Sequence, residues 1–163
     1  MENWVYVINI GEATMWRNWA LAVCAGCIAM TAMASEVGHV KVAKGAAAIQ
    51  RGTEKITAVA GLKIYAADVI TTGADGSVGI TFLDNSLIST GPNSVFAIDQ
   101  YSFDSTTHVG KFDGTLKKGT LAAISGKMVK QVPESMRIYT PSSIMGVRGT
   151  EFVVKVDDVV VRP

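Results

Sequence analysis

Cysteine is almost missing from this chain of 163 residues: there are two, Cys24 and Cys27, and both stand in one apolar stretch near the N-terminus. If that stretch is removed on export, the remaining chain holds no disulfide, no thiolate zinc site and no thiol nucleophile. Histidine is equally scarce, with only His39 and His108 to serve as a base for a serine or threonine nucleophile. They stand 69 positions apart in unrelated segments, and no Gly-x-Ser-x-Gly elbow occurs, so both are expected to be surface residues. The aspartates Asp75, Asp84, Asp99, Asp104 and Asp113 are scattered, without the spacing of a calcium loop or a calcium-loaded repeat. Gly126-Lys127 is followed by Met128 where a phosphate loop needs Ser or Thr. No block of five or six like charges appears and the formal net charge is +1, which leaves no electrostatic footprint for nucleic acid or anionic lipid. The reading is of a non-enzyme, with no catalytic, cofactor-binding or metal-ligating residue.

What is present begins with a dense apolar run. Trp19-Ala-Leu-Ala-Val-Cys-Ala-Gly-Cys-Ile-Ala-Met-Thr-Ala-Met33 follows Arg17 and ends in Ala32-Met33-Ala34, a small-x-small pattern ahead of Ser35. A basic start, an apolar middle and small residues at the end describe a secretory signal peptide, residues 1–34. A bilayer-crossing helix needs about 20 apolar residues, and this run is shorter. Cleavage after Ala34 therefore leaves no transmembrane span and a periplasmic protein. Two alternatives are an uncleaved membrane anchor and lipid attachment at Cys27, although Cys24 occupies the place where a lipobox has Leu. Residues 1–14 precede a second methionine, Met15, and read as an over-called start.

From Val37 onward the chain is a succession of short alternating runs broken by Gly, Asn-Asp or Pro. Examples are His39-Val-Lys-Val-Ala43, Ser77-Val-Gly-Ile-Thr-Phe-Leu83, Ser94-Val-Phe-Ala-Ile-Asp-Gln-Tyr-Ser-Phe103, Gly110-Lys-Phe-Asp-Gly114, Thr115-Leu116, Thr120-Leu-Ala-Ala-Ile124 and Glu151-Phe-Val-Val-Lys-Val156. Alternation of period two marks half-buried strands, and no segment sustains a 3.6-residue period with caps. Residues 35–163 are thus expected to form one all-β domain of short strands. A solenoid-like stack, a sandwich and a barrel all fit the spacing. Alternation places Val42, Ile49, Val59, Leu62, Val69, Ile70, Val78, Ile80, Phe82, Leu87, Val95, Ile98, Phe103, Leu116, Leu121, Ile124, Val129, Ile138, Ile144, Val147, Phe152 and Val154 among the core candidates. Asp84-Asn85-Ser86 and Gly91-Pro92-Asn93-Ser94 read as tight turns.

The most unusual segment is Thr140-Pro141-Ser-Ser-Ile-Met-Gly146-Val147-Arg148-Gly149-Thr150-Glu151-Phe152. Two glycines bracket Val147-Arg148, which points to a close backbone approach or a sharp bend on either side. Arg148 has two readings. Its guanidinium either pairs with Glu151 or caps carbonyls freed by the two turns, or it faces a partner or an anionic ligand.

This segment, through Thr140, Pro141, Gly146, Val147, Arg148, Gly149, Thr150, Glu151 and Phe152, resembles the signature of the FecR family of bacterial envelope proteins. Upstream blocks are similar too: Gly38-His-Val-Lys-Val42, Asp68-Val-Ile-Thr-Thr-Gly73, Thr81-Phe-Leu-Asp-Asn-Ser86, Tyr101-Ser-Phe-Asp104 and Lys118-Gly-Thr-Leu121. The resemblance implies a periplasmic all-β domain, a solenoid-like stack of short strands rather than a sandwich or barrel, that works by binding or signalling. In regulators of ferric citrate uptake, such domains relay the occupancy of an outer-membrane transporter to a sigma factor. Only about 34 residues precede the domain here, which is expected to leave no room for an anti-sigma segment. The family usually carries Gly before the Asp of its central strand, whereas Ala67 precedes Asp68, so that turn is expected to differ in shape.

The combined expectation is an exported binding or sensory module whose partner is an envelope protein. The alternative is a structural or ligand-binding envelope protein that takes a glycan or small anion, with Arg148, Lys127 and Lys130 as anchors. Mass spectrometry of the N-terminus from a cell fraction tests the export reading: Ser35 as first residue is the expected outcome. An intact N-terminus in membranes, or a lipidated Cys27, would replace the soluble periplasmic reading with an anchored one.

Overall fold

The computed structural model describes residues 35–148 and 151–157. The expected signal segment, residues 1–34, lies outside the described residues, as do Gly149, Thr150 and residues 158–163. In chain order the elements are β1 (Glu36–Lys44), β2 (Ala47–Arg51), β3 (Glu54–Thr57), β4 (Lys63–Tyr65), β5 (Val69–Thr72), β6 (Ser77–Phe82), β7 (Leu87–Thr90), β8 (Val95–Phe103) and β9 (Gly110–Ile124). They continue as a one-turn helix α1 (Lys127–Gln131), β10 (Met136–Tyr139), β11 (Ile144–Gly146) and β12 (Glu151–Val156). The all-β class stands. In place of the expected solenoid-like stack, the sheet takes the barrel-like alternative, a curled antiparallel half-barrel with strand order β3-β2-β5-β8-β9-β7-β6-β1-β4. Among the described strands only β10 lies parallel to a neighbour, β9, because the short connections elsewhere return the chain antiparallel.

Strand β9 is the trunk. Three separate alternating runs in the sequence fuse into its 15 residues. Its first part pairs with β8 on one edge and β10 on the other, and its last six residues pair with β7 and β12. Gly119 stands where the two parts meet, with φ +93, a conformation that side chains resist. A Cβ at Gly119 would also collide with Ser94. The crossing is pinned by Ser94, whose Oγ accepts from the Thr120 N–H at 3.0 Å and lies 3.2 Å from the Thr120 carbonyl, which it can donate to.

The other passages between the two halves of the sheet gather at this corner. The β1–β2, β5–β6 and β7–β8 connections are laced by Gly73 N–H to Ala46 O at 2.7 Å, Asn93 N–H to Gly73 O at 2.9 Å and Gly91 N–H to Thr120 O at 2.9 Å. Thr72, almost fully buried, accepts from the Ser94 N–H at 2.9 Å and donates to the Gly91 carbonyl at 2.7 Å. Hydroxyls serve here because each can both donate and accept where buried backbone groups lack ladder partners.

Inside the curl, Phe82 of β6, Phe96 and Tyr101 of β8 and Phe112 of β9 form one ring cluster. Phe82 meets Phe112 edge-on at 5.1 Å and stacks with Tyr101 at 5.4 Å. Ile49, Ile64, Ile70, Ile80, Ile88, Ile98, Leu116 and Leu121 pack around it, fully or almost fully buried. Several expected core residues are exposed instead. Val42 is solvent-facing because a bulge between Val40 and Val42 shifts the alternation by one residue, so Val40 takes the inward place. In the apolar doublets Leu87-Ile88 and Val95-Phe96 the second residue is the buried one. Val59, Ile124 and Ile144 are also exposed.

At the far ends of the strand order, a side chain replaces the ladder. Arg51 of β2 donates through Nε and Nη2 to the two carboxylate oxygens of buried Asp68, at 2.9 and 2.8 Å, and Nη2 also donates to the Lys63 carbonyl of β4 at 2.9 Å. The guanidinium lies 4.3 Å over the Tyr65 ring. These contacts, led by the hydrogen bond to Asp68, hold Arg51 above its ordinary value. Ala67, ahead of Asp68, has φ +68. The alanine occupies the backbone region that glycine favours, so the residue change is felt as strain rather than as escape from that conformation.

Two substitutions read these constraints in opposite directions. Ala67→Gly relieves about 1–2 kcal/mol of left-handed strain and adds about 0.5–1 kcal/mol of chain entropy to the unfolded state, for a net gain near ~1 kcal/mol and a Tm higher by a few degrees. Gly119→Ala is expected to cost about 3 kcal/mol, from backbone strain together with the clash at Ser94. Thermal unfolding of both variants checks the pair; a stabilised Gly119→Ala would contradict the corner geometry.

Candidate functional site

The unusual C-terminal segment forms a hairpin followed by an edge strand. In β10, Met136 and Ile138 point inward and are buried, while Arg137 faces out. The turn after β10 is closed by Thr140, whose N–H donates to the Ser143 carbonyl at 2.8 Å and whose Oγ1 accepts from the Ser143 N–H at 3.0 Å. Pro141 and Ser142 form the exposed tip, where a residue without an N–H and with preset φ costs nothing. The chain returns as β11, with Ile138 opposite Met145 and Arg137 opposite Gly146. Val147 then turns inward, 5 % exposed, and donates its N–H to the Met136 carbonyl at 2.9 Å.

The signature residues therefore divide into two groups. Thr140 and Val147 build the hairpin. Gly146 and Arg148 face outward. Gly146 lies in extended backbone with nothing within 4 Å of where a Cβ would stand, so neither the close approach nor the sharp bend expected of it is found there. Arg148 is exposed, with Nε 3.5 Å from Glu134 Oε1 and both side chains mostly in water. Glu134, not Glu151, is its ionic partner. Gly149 and Thr150 fall outside the described residues. Glu151 and Phe152 open β12, which runs antiparallel to the last part of β9, with Glu151 opposite Ile124 and Phe152 opposite Ala123.

Along β12, Val154 is buried, Phe152 and Val156 are half-buried, and Val153 is 65 % exposed on the outer face. Between the hairpin and β12 lies a groove of about 470 Å³ lined by Thr140, Pro141, Met145, Val153, Lys155 and Asp157, among others. Ile144, 67 % exposed, stands on the facing strand. Exposed apolar side chains beside strands whose outer edges are unpaired among the described residues suit recognition of an extended chain, through main-chain hydrogen bonds and pockets for alternate side chains.

Elsewhere the structure brings together groups that the sequence did not connect. Asp84, fully buried, accepts from the Ser86 N–H at 3.1 Å and from the Ser86 hydroxyl at 2.6 Å, and its own N–H donates to the Tyr101 hydroxyl at 3.1 Å. Ser86 Oγ in turn accepts from the Gly126 N–H at 2.9 Å. Burial, and then the nearby Asp84 charge, push the Tyr101 hydroxyl far above the usual tyrosine range, so it remains a proton donor. The network fastens the β6–β7 turn to the start of α1. Asp84-Asn85-Ser86 is legible in sequence as a turn, but the 40-residue reach to Gly126 is not.

His39 is exposed on β1, and His108 stacks parallel on Phe103 with centroids 6.1 Å apart. Lys127 and Lys130 are exposed on α1, two elements before Arg148 in the chain. Among the described residues, no group of three or more His, Cys, Asp or Glu is placed to hold a metal ion, and no helix is long and apolar enough to cross a membrane.

The fold and the hairpin thus describe an all-β module whose distinguishing surface is a strand edge. The model of the family described as FecR protein matches residues 68–162, more than half of the chain, and the chain belongs to that family, one of regulatory and signalling proteins. The match opens on Asp68, the carboxylate that Arg51 clamps, and takes in all of the signature; β1–β4 lie before it. No curated protein and no solved structure matches the chain.

The division of the signature is directly measurable. Val147→Ala removes two buried methyl groups and is expected to cost about 2 kcal/mol. Arg148→Ala, at an exposed ion pair, should leave stability within about 0.5 kcal/mol of the parent. Chemical denaturation of both variants tests this, and a large loss on Arg148→Ala would show that the guanidinium serves the fold.

Proposed function

We propose that this chain is an exported, periplasmic binding and sensory module that takes part in envelope protein interaction or signalling without catalysing a reaction. Membership of a signalling family supports the class of function. The N-terminal apolar run with its small-x-small end supports export. The observation that carries the reading is the outward half of the signature. Gly146 has open space where a side chain would stand, Arg148 is three-quarters exposed, and Ile144 is 67 % exposed, so these residue types are not explained by packing within the domain. A glycine on an exposed strand lets another backbone come close, and an arginine beside it supplies a directional, always-charged donor.

The partner face is accordingly the β10–β11 hairpin with β12, and the partner an envelope protein that presents an extended, partly apolar segment. Photo-crosslinking in intact envelope tests this. A crosslinker at Ile144 or Val153 should give a discrete adduct that a crosslinker at Lys55, exposed on β3, does not give. Arg148→Glu should reduce the adduct several-fold while the melting temperature stays put. Equal adducts at all three positions, or none at Ile144 and Val153, would remove the hairpin face from the proposal.

A further inference from the structure

The two halves of the curled sheet show different chemistry to solvent. Outward residues of β8, the first part of β9 and β10 include Asp99, Lys111 and Arg137. In the other half, the outward positions of β6, β7 and the last part of β9 carry no charge: all are Ser, Gly, Thr, Leu, Ala or Ile. Charge returns on the flanking strands, as Lys41 and Lys44 on β1 and Glu151 and Lys155 on β12. An uncharged centre inside a charged rim is the anatomy of a protein interface. Ladder register sets three ranks across this face. The middle one is Val42, Gly79, Ser89, Ala122 and Val153, one residue from each of β1, β6, β7, β9 and β12. Its centre is low because three residues are small, and Val42 and Val153 at its ends are 46 and 65 % exposed. To one side stand the larger Leu87 and Ile124, with Glu151 next to Ile124 on β12. To the other side the same two central strands carry Gly91 and Thr120, with Lys155 next to Thr120.

We infer that this face packs against the same face of a second copy of the chain, about a two-fold axis that lies along the middle rank. Under that axis each outer rank meets the opposite outer rank of the other copy, and the middle rank meets itself. Small residues then stand on small residues, so the two sheets approach closely. Leu87 and Ile124 of each copy stand over Gly91 and Thr120 of the other, large side chains over low ones. Lys155 of each copy faces Glu151 of the other, which gives two symmetric ion pairs at the rim that orient the contact. The alternative axis, along the strands, sets β1 against β12 and brings Lys44 onto Lys155, two like charges. Size and charge therefore select the same axis. Lys41 and Lys44 meet no acid under it and stay in water at the β1 rim. Five strands about 4.8 Å apart and three ranks about 6.8 Å apart cover roughly 500 Å² per copy, the size of a weak, reversible contact.

Self-association goes beyond the envelope partner and does not depend on it, because Ile144 and Arg148 belong to the hairpin in the other half of the sheet. Val153 is common to both surfaces, and mass separates them: an adduct of twice the chain's own mass belongs to the second copy. Sedimentation of the purified protein, in the form its cells produce, tests the contact between about 1 and 300 μM. A reversible monomer–dimer equilibrium is expected. Ala122→Glu and Ser89→Glu each set a charge against its own symmetric copy and should weaken the dimer at least about ten-fold, whereas Gln50→Glu, exposed on β2, should leave it unchanged. Lys155→Glu and Glu151→Lys should each weaken it several-fold, and the two together should restore it. A monomer at every concentration would overturn the inference, as would a dimer that Ala122→Glu and Ser89→Glu leave intact. A dimer tightened by Lys155→Glu would overturn the axis in favour of the one along the strands. A photo-crosslinker at Ser89 that captures a different protein in intact envelope, with no adduct of twice the chain's mass, would overturn the second copy as the occupant.

Discussion

Everything in this domain hangs on one corner, where β9 passes from one half of the sheet to the other through Gly119. At that point a left-handed backbone lies against Ser94, and the Ser94 hydroxyl holds both the N–H and the carbonyl of Thr120. Because β9 continues through the bend, the strands on either side of it, β8 and β10 before and β7 and β12 after, inherit their relative orientation from a single residue. The other chain crossings stack on the same corner through Ala46, Gly73 and Gly91. A curled sheet needs such a place, since a sheet that bends sharply must break its ladder somewhere and satisfy the freed groups locally. Here short hydroxyl side chains and glycine backbone do so.

The opposite problem arises where the curl fails to close. Among the described residues backbone pairing stops at β3 and β4, and Arg51, held by a two-pronged grip on Asp68, reaches across to β4 through a third bond to the Lys63 carbonyl. A fully buried carboxylate is costly unless it is met by a charged, geometrically matched partner, and a guanidinium fits that need better than an ammonium. Asp84, equally buried, is solved differently, by neutral donors from Ser86 and by Tyr101, whose hydroxyl burial keeps protonated. The two acidic residues share a burial state but not a role: one replaces missing strand pairing, the other locks a turn onto the helix that precedes the hairpin.

That helix and the trunk strand deliver the C-terminal hairpin to its place. Among the described residues of the thirteen-residue motif, Val147 is buried in the fold, while Gly146 and Arg148 face outward. Membership of the FecR family, one of regulatory and signalling proteins, gives the domain its context. An edge strand next to a glycine and an arginine offers backbone hydrogen bonds for affinity and a charge for orientation.

Local chemistry was legible in the chain itself. Alternation announced an all-β domain, Asn85 and Pro92 marked turns, the signature named the family, and the apolar N-terminal run suggested export, because each of these depends on residues close together in sequence. The tertiary structure alone decided the rest. It placed Val40 inside and Val42 outside, since a bulge moves the phase of a strand without leaving a mark in composition. It joined three apparent strands into one, because β9 bends at Gly119 without ending there. It gave Arg148 to Glu134 rather than Glu151, and Arg51 to Asp68 across 17 residues, because ion pairs are chosen by distance in space, on which sequence separation is silent.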